Sequence, residues 1–372
     1  MIPREWSDYM NTITGGSMNW WRKVGNIGLI GLIAGILLAG QAGLAGAQVK
    51  PEVDPALKHY ERNGSHKIEG TLYAGASDSI KRLFDLWTER FQYHHSGVKF
   101  ETTGIVSAEA PQAIFTGTAP IKEGADLVAI SFPLTQDDLQ AIKAQRGVMP
   151  VRVAVALDAI VLVVNHKNTL PGLTMQQVGE IFGVPANEKE DLEHWKQVGS
   201  NGKFGELEIN RYGRDEKSGT YLAFKSMALR DGEQRKQVHK EPGSMSVILE
   251  VGADERGIGY AATGFAARSK RVRVVPLARK SGDRFVTPTN QTVLSGEYPL
   301  HRELLIYAMP QADGTLKPAI KHFLEFVLSR DGQDLVKEEG FFPLPATHGQ
   351  QKLGSLEGDA RMSNVETGLK SD

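Results

Sequence analysis

The chain is predicted to be an α/β protein in which strands and helices alternate. Short apolar strand patterns alternate with stretches of helical periodicity along most of the 372 residues. Several predicted strands end in a turn that carries a hydroxyl residue at the entry to the next element. Val-rich runs at 151–156 and 160–165 are typical of buried strands. In an α/β protein the ligand crevice lies beyond the carboxyl ends of the strands.

The N-terminus has the pattern of a secretory signal. Arg22 and Lys23 precede an uncharged apolar run at 27–40, and Ala45-Gly46-Ala47 supplies the small residues that a signal peptidase reads. This run is short for a transmembrane helix, which needs about 20 residues. We therefore expect residues 1–47 to be a signal peptide cleaved near Ala47, with an uncleaved anchor helix as the alternative.

Two further segments differ from the globular part in composition. Residues 48–68 are polar and charged, and we expect them to form a loosely held leader, with the folded part starting near Ile68. Residues 349–372 contain no aromatic residue and frequent Gly and Ser, which predicts a disordered tail.

The first strands are each followed by a serine. A strand at 70–75 precedes a turn and a helix with apolar residues at helical spacing over 80–91, and Ser77 to Ser79 are expected to cap that helix. A strand at 98–103 leads to Ser107 and a weaker helix at 110–115, and a strand at 127–130 ends at Ser131. Each serine alone indicates a helix cap. Their repetition at one edge of a sheet indicates a ligand site.

A strand-to-helix turn carries the most specific pattern. Residues 207–212 alternate as a strand, and Tyr221, Phe224 and Ala228 follow at helical spacing. The turn between them, Arg214-Asp215-Glu216-Lys217-Ser218-Gly219-Thr220, combines cap residues, a glycine that permits close approach, and a cation. The free N–H groups and dipole at a helix N-terminus suit a small oxyanion. The alternative is an ordinary capped helix with a surface arginine.

Later elements continue the same alternation. Helices are predicted at 175–182, 243–251 and 318–328, strands at 257–260, 272–277 and 298–308, and a polar surface excursion at 183–205. Asp158, between the two Val-rich runs, has no explanation from the sequence beyond capping or contacting the other half.

The order of these motifs resembles the periplasmic phosphate-binding proteins of ABC transporters, which have the type II substrate-binding fold. The turn at 214–220 is similar to the family pattern Arg-Ser-Asp-Gly-Ser-Gly-Thr, and residues 76–79, 103–107 and 126–134 resemble the family's other three ligand loops. The resemblance covers about 69–347. It departs at Ser131, where some members have an aspartate that accepts the phosphate proton, and at Phe132, where others have arginine.

The resemblance implies two lobes, each a mixed sheet flanked by helices. Lobe I would comprise 69–152 and 302–348, and lobe II 153–301, with two hinge crossings near 150–157 and 298–306. The implied ligand contacts are Asp78, Ser79, Ser107 and Ser131 from lobe I and Arg214, Ser218, Gly219 and Thr220 from lobe II. Ser77 would support the site, and Glu216 matches the family acid that pairs with the binding arginine.

Composition limits the function classes. With 43 basic and 44 acidic residues there is no excess charge for nucleic acid or an anionic membrane, and the absence of cysteine excludes disulfides and thiol catalysis. No nucleophile elbow, P-loop or metal-ligand spacing appears, so we expect no catalytic residue, no cofactor and no metal. The expected function is capture of phosphate or a related oxyanion by a monomer that delivers it to ABC permease subunits. A secreted adhesin or sensor, and another oxyanion such as sulfate or molybdate, remain the alternatives.

Overall fold

The computed structural model describes residues 51–62, 68–117, 121, 124–185 and 191–348. The predicted signal peptide, residues 48–50 and 63–67 of the predicted leader, and the predicted tail at 349–372 lie outside the described residues. The described part is an α/β fold, so the predicted fold class is confirmed.

Strands and helices alternate along the described chain. The strands are β1 Gly70–Ser77, β2 Val98–Ile105, β3 Leu127–Ile130, β4 Val151–Asn165, β5 Leu173–Thr174, β6 Asn210–Arg214, β7 Val238–Glu241, β8 Gly257–Ala262, β9 Val272–Val275, β10 Leu277–Ala278 and β11 His301–Ala308. The α-helices are α1 Lys81–His94, α2 Ala110–Phe115, α3 Gln136–Arg146, α4 Met175–Phe182, α5 Gly219–Ala228, α6 Ser244–Ala253, α7 Thr263–Ala266, α8 Asn290–Leu294, α9 Pro318–Leu328 and α10 Arg330–Glu338.

One sheet runs through the molecule in the order β2-β1-β3-β11-β4-β8-β6-β7, with β9 also paired to β4. Strands β1, β2 and β3 are parallel, as are β6, β7 and β8. The long strand β4 belongs to both halves: its first part pairs with β11, and its second part pairs with β8 and β9. The two Val-rich runs are therefore one strand that passes through Asp158, not two.

The core is divided at this long strand, which defines the two lobes. Val153, Val155 and Ala156 pack in the core of lobe I, whereas residues from Ala159 onwards pack in the core of lobe II. The first crossing therefore lies near Asp158, and the expected lobe boundary at 152/153 is about five residues too early. The side chains of β4 change cores without a break in backbone pairing, so composition alone did not mark the change.

Local chemistry explains most helix boundaries, with exceptions. Helix α3 begins at a capping box formed by Thr135 and Asp138. The expected serine cap on α1 is wrong, because Ile80 occupies the N-cap position without a side-chain cap bond. The expected surface excursion at 183–205 is also wrong in part. Trp195 and Val198, in a short 3-10 helix, are buried in the core of lobe II.

The segment 51–62 packs on lobe I and is not the loosely held leader that its polarity indicated. Leu57 is buried, and the backbone N–H of Arg330 donates to the carbonyl of Lys58 at 2.8 Å. The Tyr60 hydroxyl lies 2.7 Å from His95 Nε2. A cavity of about 210 Å³ between this segment and α9 contains none of the predicted site residues. A few anchoring contacts therefore hold a segment whose composition is polar.

Candidate functional site

The turn between β6 and α5 is built from its own polar side chains. Asp215 Oδ1 accepts the N–H groups of Lys217 and Ser218 at 3.0 and 3.1 Å, which closes the turn. Ser218 is the N-cap of α5, and its Oγ accepts the N–H of Thr220 at 3.2 Å. The predicted strand-turn-helix arrangement is therefore confirmed, with the strand at Asn210–Arg214. The helix N-terminus faces lobe I.

Arg214 is held rigidly at the end of β6. Its side chain is 3% exposed, and Nε and Nη2 donate to the carbonyls of Glu241 and Pro242 at 3.1 and 3.0 Å. Nη1 lies 2.8 Å from Asp78 Oδ2 of lobe I but makes no hydrogen bond of good geometry with it among the described residues. The guanidinium is thus anchored by two neutral carbonyl acceptors and presents its remaining nitrogen across the cleft, toward the Asp78 carboxylate.

The acid that pairs with Arg214 is Asp78, and the expectation that Glu216 does so is wrong. Glu216 is exposed and forms an ion pair with Lys240, which lowers the pKa of Glu216. Strand β7 lies beside β6 and pairs Lys240 with Gly213, so the lysine is placed close to Glu216. Asp78 comes from the loop after β1, a contact that only the packing of the lobes creates.

The serine residues after the first strands converge as predicted for a common sheet edge. Strands β2 and β3 flank β1 in parallel, so their carboxyl ends lie together. Ser79, Ser107 and Ser131 are all buried. Among the described residues, Ser107 Oγ and Ser131 Oγ have no hydrogen-bond partner, and neither does Ser77 Oγ or Asp78 Oδ1. Buried polar groups are usually hydrogen-bonded, so this concentration of unpaired atoms makes the place a candidate binding site.

The two lobes meet at Gly219. A Cβ atom on this residue would lie 2.2 Å from Ser107 Oγ and 2.8 Å from Ser131 Oγ, so only glycine fits. Beside it, Ser79 Oγ and Thr220 Oγ1 lie 3.0 Å apart. All eight residues expected to bind the ligand therefore occupy one place between the lobes.

Two charged residues behind the site were not predicted to belong to it. Asp158 on β4 is fully buried, and its Oδ2 accepts from Nε and Nη2 of Arg302 on β11 at 2.9 and 2.8 Å. Burial raises the pKa of Asp158, and the Arg302 guanidinium acts in the opposite direction. A buried charge requires a partner of opposite charge. The position of Asp158 within an apolar strand therefore indicates that a basic residue packs against it, and Arg302 is that residue.

Metal and membrane sites are not found in the described part of the chain. Its residues form no group of three or more His, Asp or Glu side chains that could hold a metal ion. None of its helices is long and apolar enough to cross a bilayer.

Comparison with known proteins identifies the family. Residues 62–331 match the family described as the PBP superfamily domain. The phosphate-binding protein PstS of Pseudomonas aeruginosa is 34% identical over 317 residues, which cover 85% of this chain and 95% of that protein.

Solved structures agree in fold. A phosphate ABC transporter substrate-binding protein from Clostridium perfringens, crystallised with bound phosphate, has a TM-score of 0.60 at 23% identity, covering 74% of this chain and 100% of its own. An ABC-type phosphate transport receptor from Vibrio cholerae has a TM-score of 0.57 at 20% identity, covering 73% and 100%. With a family match over most of the chain and a relative of this identity, the chain belongs to the PBP superfamily and, within it, to the PstS family of phosphate-binding proteins.

Proposed function

We propose that the protein is an exported, monomeric solute-binding protein that captures inorganic phosphate between its lobes and delivers it to an ABC importer. The observation that carries this proposal is the convergence of the unpaired hydroxyl groups of Ser107 and Ser131 on Gly219 at the N-terminus of α5. From the same turn, Arg214 Nη1 approaches Asp78 of lobe I. The names of the similar proteins from Pseudomonas aeruginosa and Clostridium perfringens, both phosphate-binding, support the choice of ligand.

The proposed contacts are mostly neutral donors. Hydroxyl groups and helix N–H groups replace the hydration shell of the anion, and the single arginine adds a charge-assisted bond. The residues proposed to form the phosphate site are Asp78, Ser79, Ser107, Ser131, Arg214, Ser218, Gly219 and Thr220. Ser77 would support this shell from the end of β1.

Asp78 supports phosphate over a fully deprotonated oxyanion. Phosphate retains a proton near neutral pH, and an acceptor for that proton distinguishes it from sulfate. Asp78 Oδ1 is buried and has no hydrogen-bond partner among the described residues. Ser131, which stands where some relatives have the acidic acceptor, has an unpaired Oγ that can donate to either anion. In this site the acceptor role therefore passes to Asp78.

Export is proposed from the N-terminal pattern alone. Cleavage after Ala47 would make Gln48 the first residue of the mature protein. N-terminal sequencing of the secreted or periplasmic protein tests this directly. A mature protein that keeps residues 27–40 would support the anchored alternative instead.

Calorimetry against phosphate, arsenate, sulfate and molybdate tests the ligand assignment. We expect phosphate and arsenate, which both carry a proton near neutral pH, to bind at least about tenfold more tightly than sulfate or molybdate, a difference of about 1.4 kcal/mol. Tighter binding of sulfate or molybdate would reassign the ligand. Turnover of phosphate esters by the same sample would instead support an enzyme.

A further inference from the structure

Arg302 reaches the anion-binding turn from behind, through a buried network. It stands opposite Asp158 in the antiparallel pair of β4 and β11, at the point where both strands cross between the lobes. Its Nη1 donates to the carbonyl of Gly219 at 3.0 Å, and its Nη2 donates to Thr220 Oγ1 at 3.0 Å. Its remaining bonds to Asp158 hold the guanidinium in place.

An arginine can only donate hydrogen bonds, and this fixes the direction of the bond that follows. Thr220 Oγ1 has two partners among the described residues, Arg302 and Ser79. Since Arg302 donates to Thr220, the buried Thr220 hydroxyl keeps its own proton for Ser79 Oγ, 3.0 Å away. The opposite direction would leave the Thr220 proton without an acceptor in the described part of the protein, which is unfavourable for a fully buried hydroxyl.

Ser79 then accepts one proton, and its own proton is available for another acceptor. We propose that Arg302 is a positioning residue that sets the direction of a hydrogen-bond chain, from Arg302 through Thr220 to Ser79, so that Ser79 donates to the bound oxyanion. The chain crosses from lobe II to lobe I, so it is complete only when the lobes meet. This inference rests on the proposed function, because the last acceptor in the chain is the phosphate.

A double-mutant cycle tests the direction without disturbing the Arg302–Asp158 pair. Phosphate affinity is measured by calorimetry for Ser79→Ala, Thr220→Val and the double variant. Ser79→Ala removes the donor, whereas Thr220→Val removes only the bond that orients it. Ser79→Ala is therefore expected to weaken phosphate binding about five- to tenfold, Thr220→Val less, and the double variant no more than Ser79→Ala alone. A double variant weakened by the product of the single losses would show that Thr220 donates to the anion itself, and would overturn the proposal. Thr220→Ser keeps a hydroxyl and is expected to bind more tightly than Thr220→Val.

A test of the role of Arg302 requires a measurement that looser packing around the residue would not change. Glutamine can donate or accept, so in an Asp158→Asn, Arg302→Gln variant the chain can reverse, and at mildly acidic pH Ser79 can accept the second proton of dihydrogen phosphate while Asp78 accepts the first. Sulfate has no such proton. The phosphate-to-sulfate affinity ratio is therefore expected to rise at least about threefold over wild type, whereas a structural role would weaken both anions equally and leave the ratio unchanged. If this variant fails to fold, the Ser79 and Thr220 cycle still decides the direction of the chain.

The wild-type titration separates this proposal from the proposed function. If the wild-type protein does not bind phosphate, both the proposed function and the hydrogen-bond chain are wrong. If the wild-type protein binds phosphate but the losses of binding free energy in the double-mutant cycle are additive, only the hydrogen-bond chain is wrong.

Discussion

Replacing Asp78 with asparagine is expected to reduce the preference for phosphate over sulfate. Asp78 Oδ2 lies 2.8 Å from Arg214 Nη1, and Oδ1 is buried without a hydrogen-bond partner among the described residues. The asparagine side chain would keep the shape of the aspartate and an acceptor oxygen but lose the charge. The stronger field of Arg214 would favour both anions alike, so the ratio of affinities isolates the effect on the phosphate proton.

The magnitude follows from the two changed interactions. A hydrogen bond to a charged acceptor contributes about 1.5–3 kcal/mol and a neutral one about 0.5–1.5 kcal/mol, so phosphate loses roughly 1 kcal/mol, or about fivefold. Sulfate no longer faces a carboxylate oxygen to which it has no proton to give. Even a fraction of the several kcal/mol of repulsion between close like charges would then raise the affinity for sulfate at least about tenfold. The ratio should therefore fall by about 50-fold.

Competition calorimetry with phosphate and sulfate measures this ratio. Glu216→Gln is the matched control, since it also removes one negative charge near the turn but from an exposed side chain paired with Lys240. Its ratio is expected to equal that of the wild type. An unchanged ratio in Asp78→Asn would refute the assignment of Asp78 as the acceptor, and an equal fall in both variants would mean that only net charge matters.

The remaining predictions concern Arg214, Gly219 and His95. Arg214→Ala should weaken phosphate binding about 10- to 150-fold, the loss of one charge-assisted bond of about 1.5–3 kcal/mol, and an undiminished affinity by calorimetry would place Arg214 outside the site. Gly219→Ala should hinder closure, because its Cβ would collide with Ser107 Oγ at 2.2 Å, whereas a Cβ at Gly104 would meet only the Lys81 side chain at 3.9 Å, so Gly104→Ala serves as control. Small-angle scattering should then show a ligand-induced decrease in the radius of gyration for wild type and Gly104→Ala but not for Gly219→Ala. Burial, with help from His322, Arg62 and His94, lowers the pKa of His95 below its ordinary 6.5, so stability from neutral His95 is present above pH 6.5 and is lost as the pH falls. The melting temperature should therefore drop more between about pH 7.5 and 5.5 in wild type than in His95→Gln, and equal drops would contradict this role.

Sequence patterns determined the fold class and most of its elements, and the resemblance to a known family supplied the full set of candidate ligand residues. Helices at 175–182 and 318–328 matched their predicted bounds because their apolar spacing and flanking residues act locally. The serine residues at the strand ends could be predicted to lie at one edge of the sheet, because parallel strands have their carboxyl ends at the same edge. The resemblance of ordered motifs then joined that edge to the turn at Arg214.

Only the tertiary structure decided which charges meet. Glu216 is close to Arg214 in the sequence, yet Arg214 pairs with the distant Asp78 because lobe packing brings the two together. The same holds for Asp158 and Arg302, whose pairing depends on the register of β4 against β11. The segment 51–62 has a polar composition, but its docking depends on where Leu57 and Tyr60 lie on lobe I. Periodicity reports on a residue's own element, whereas ion pairs, hydroxyl chains and docked segments depend on distances across elements that no local pattern contains.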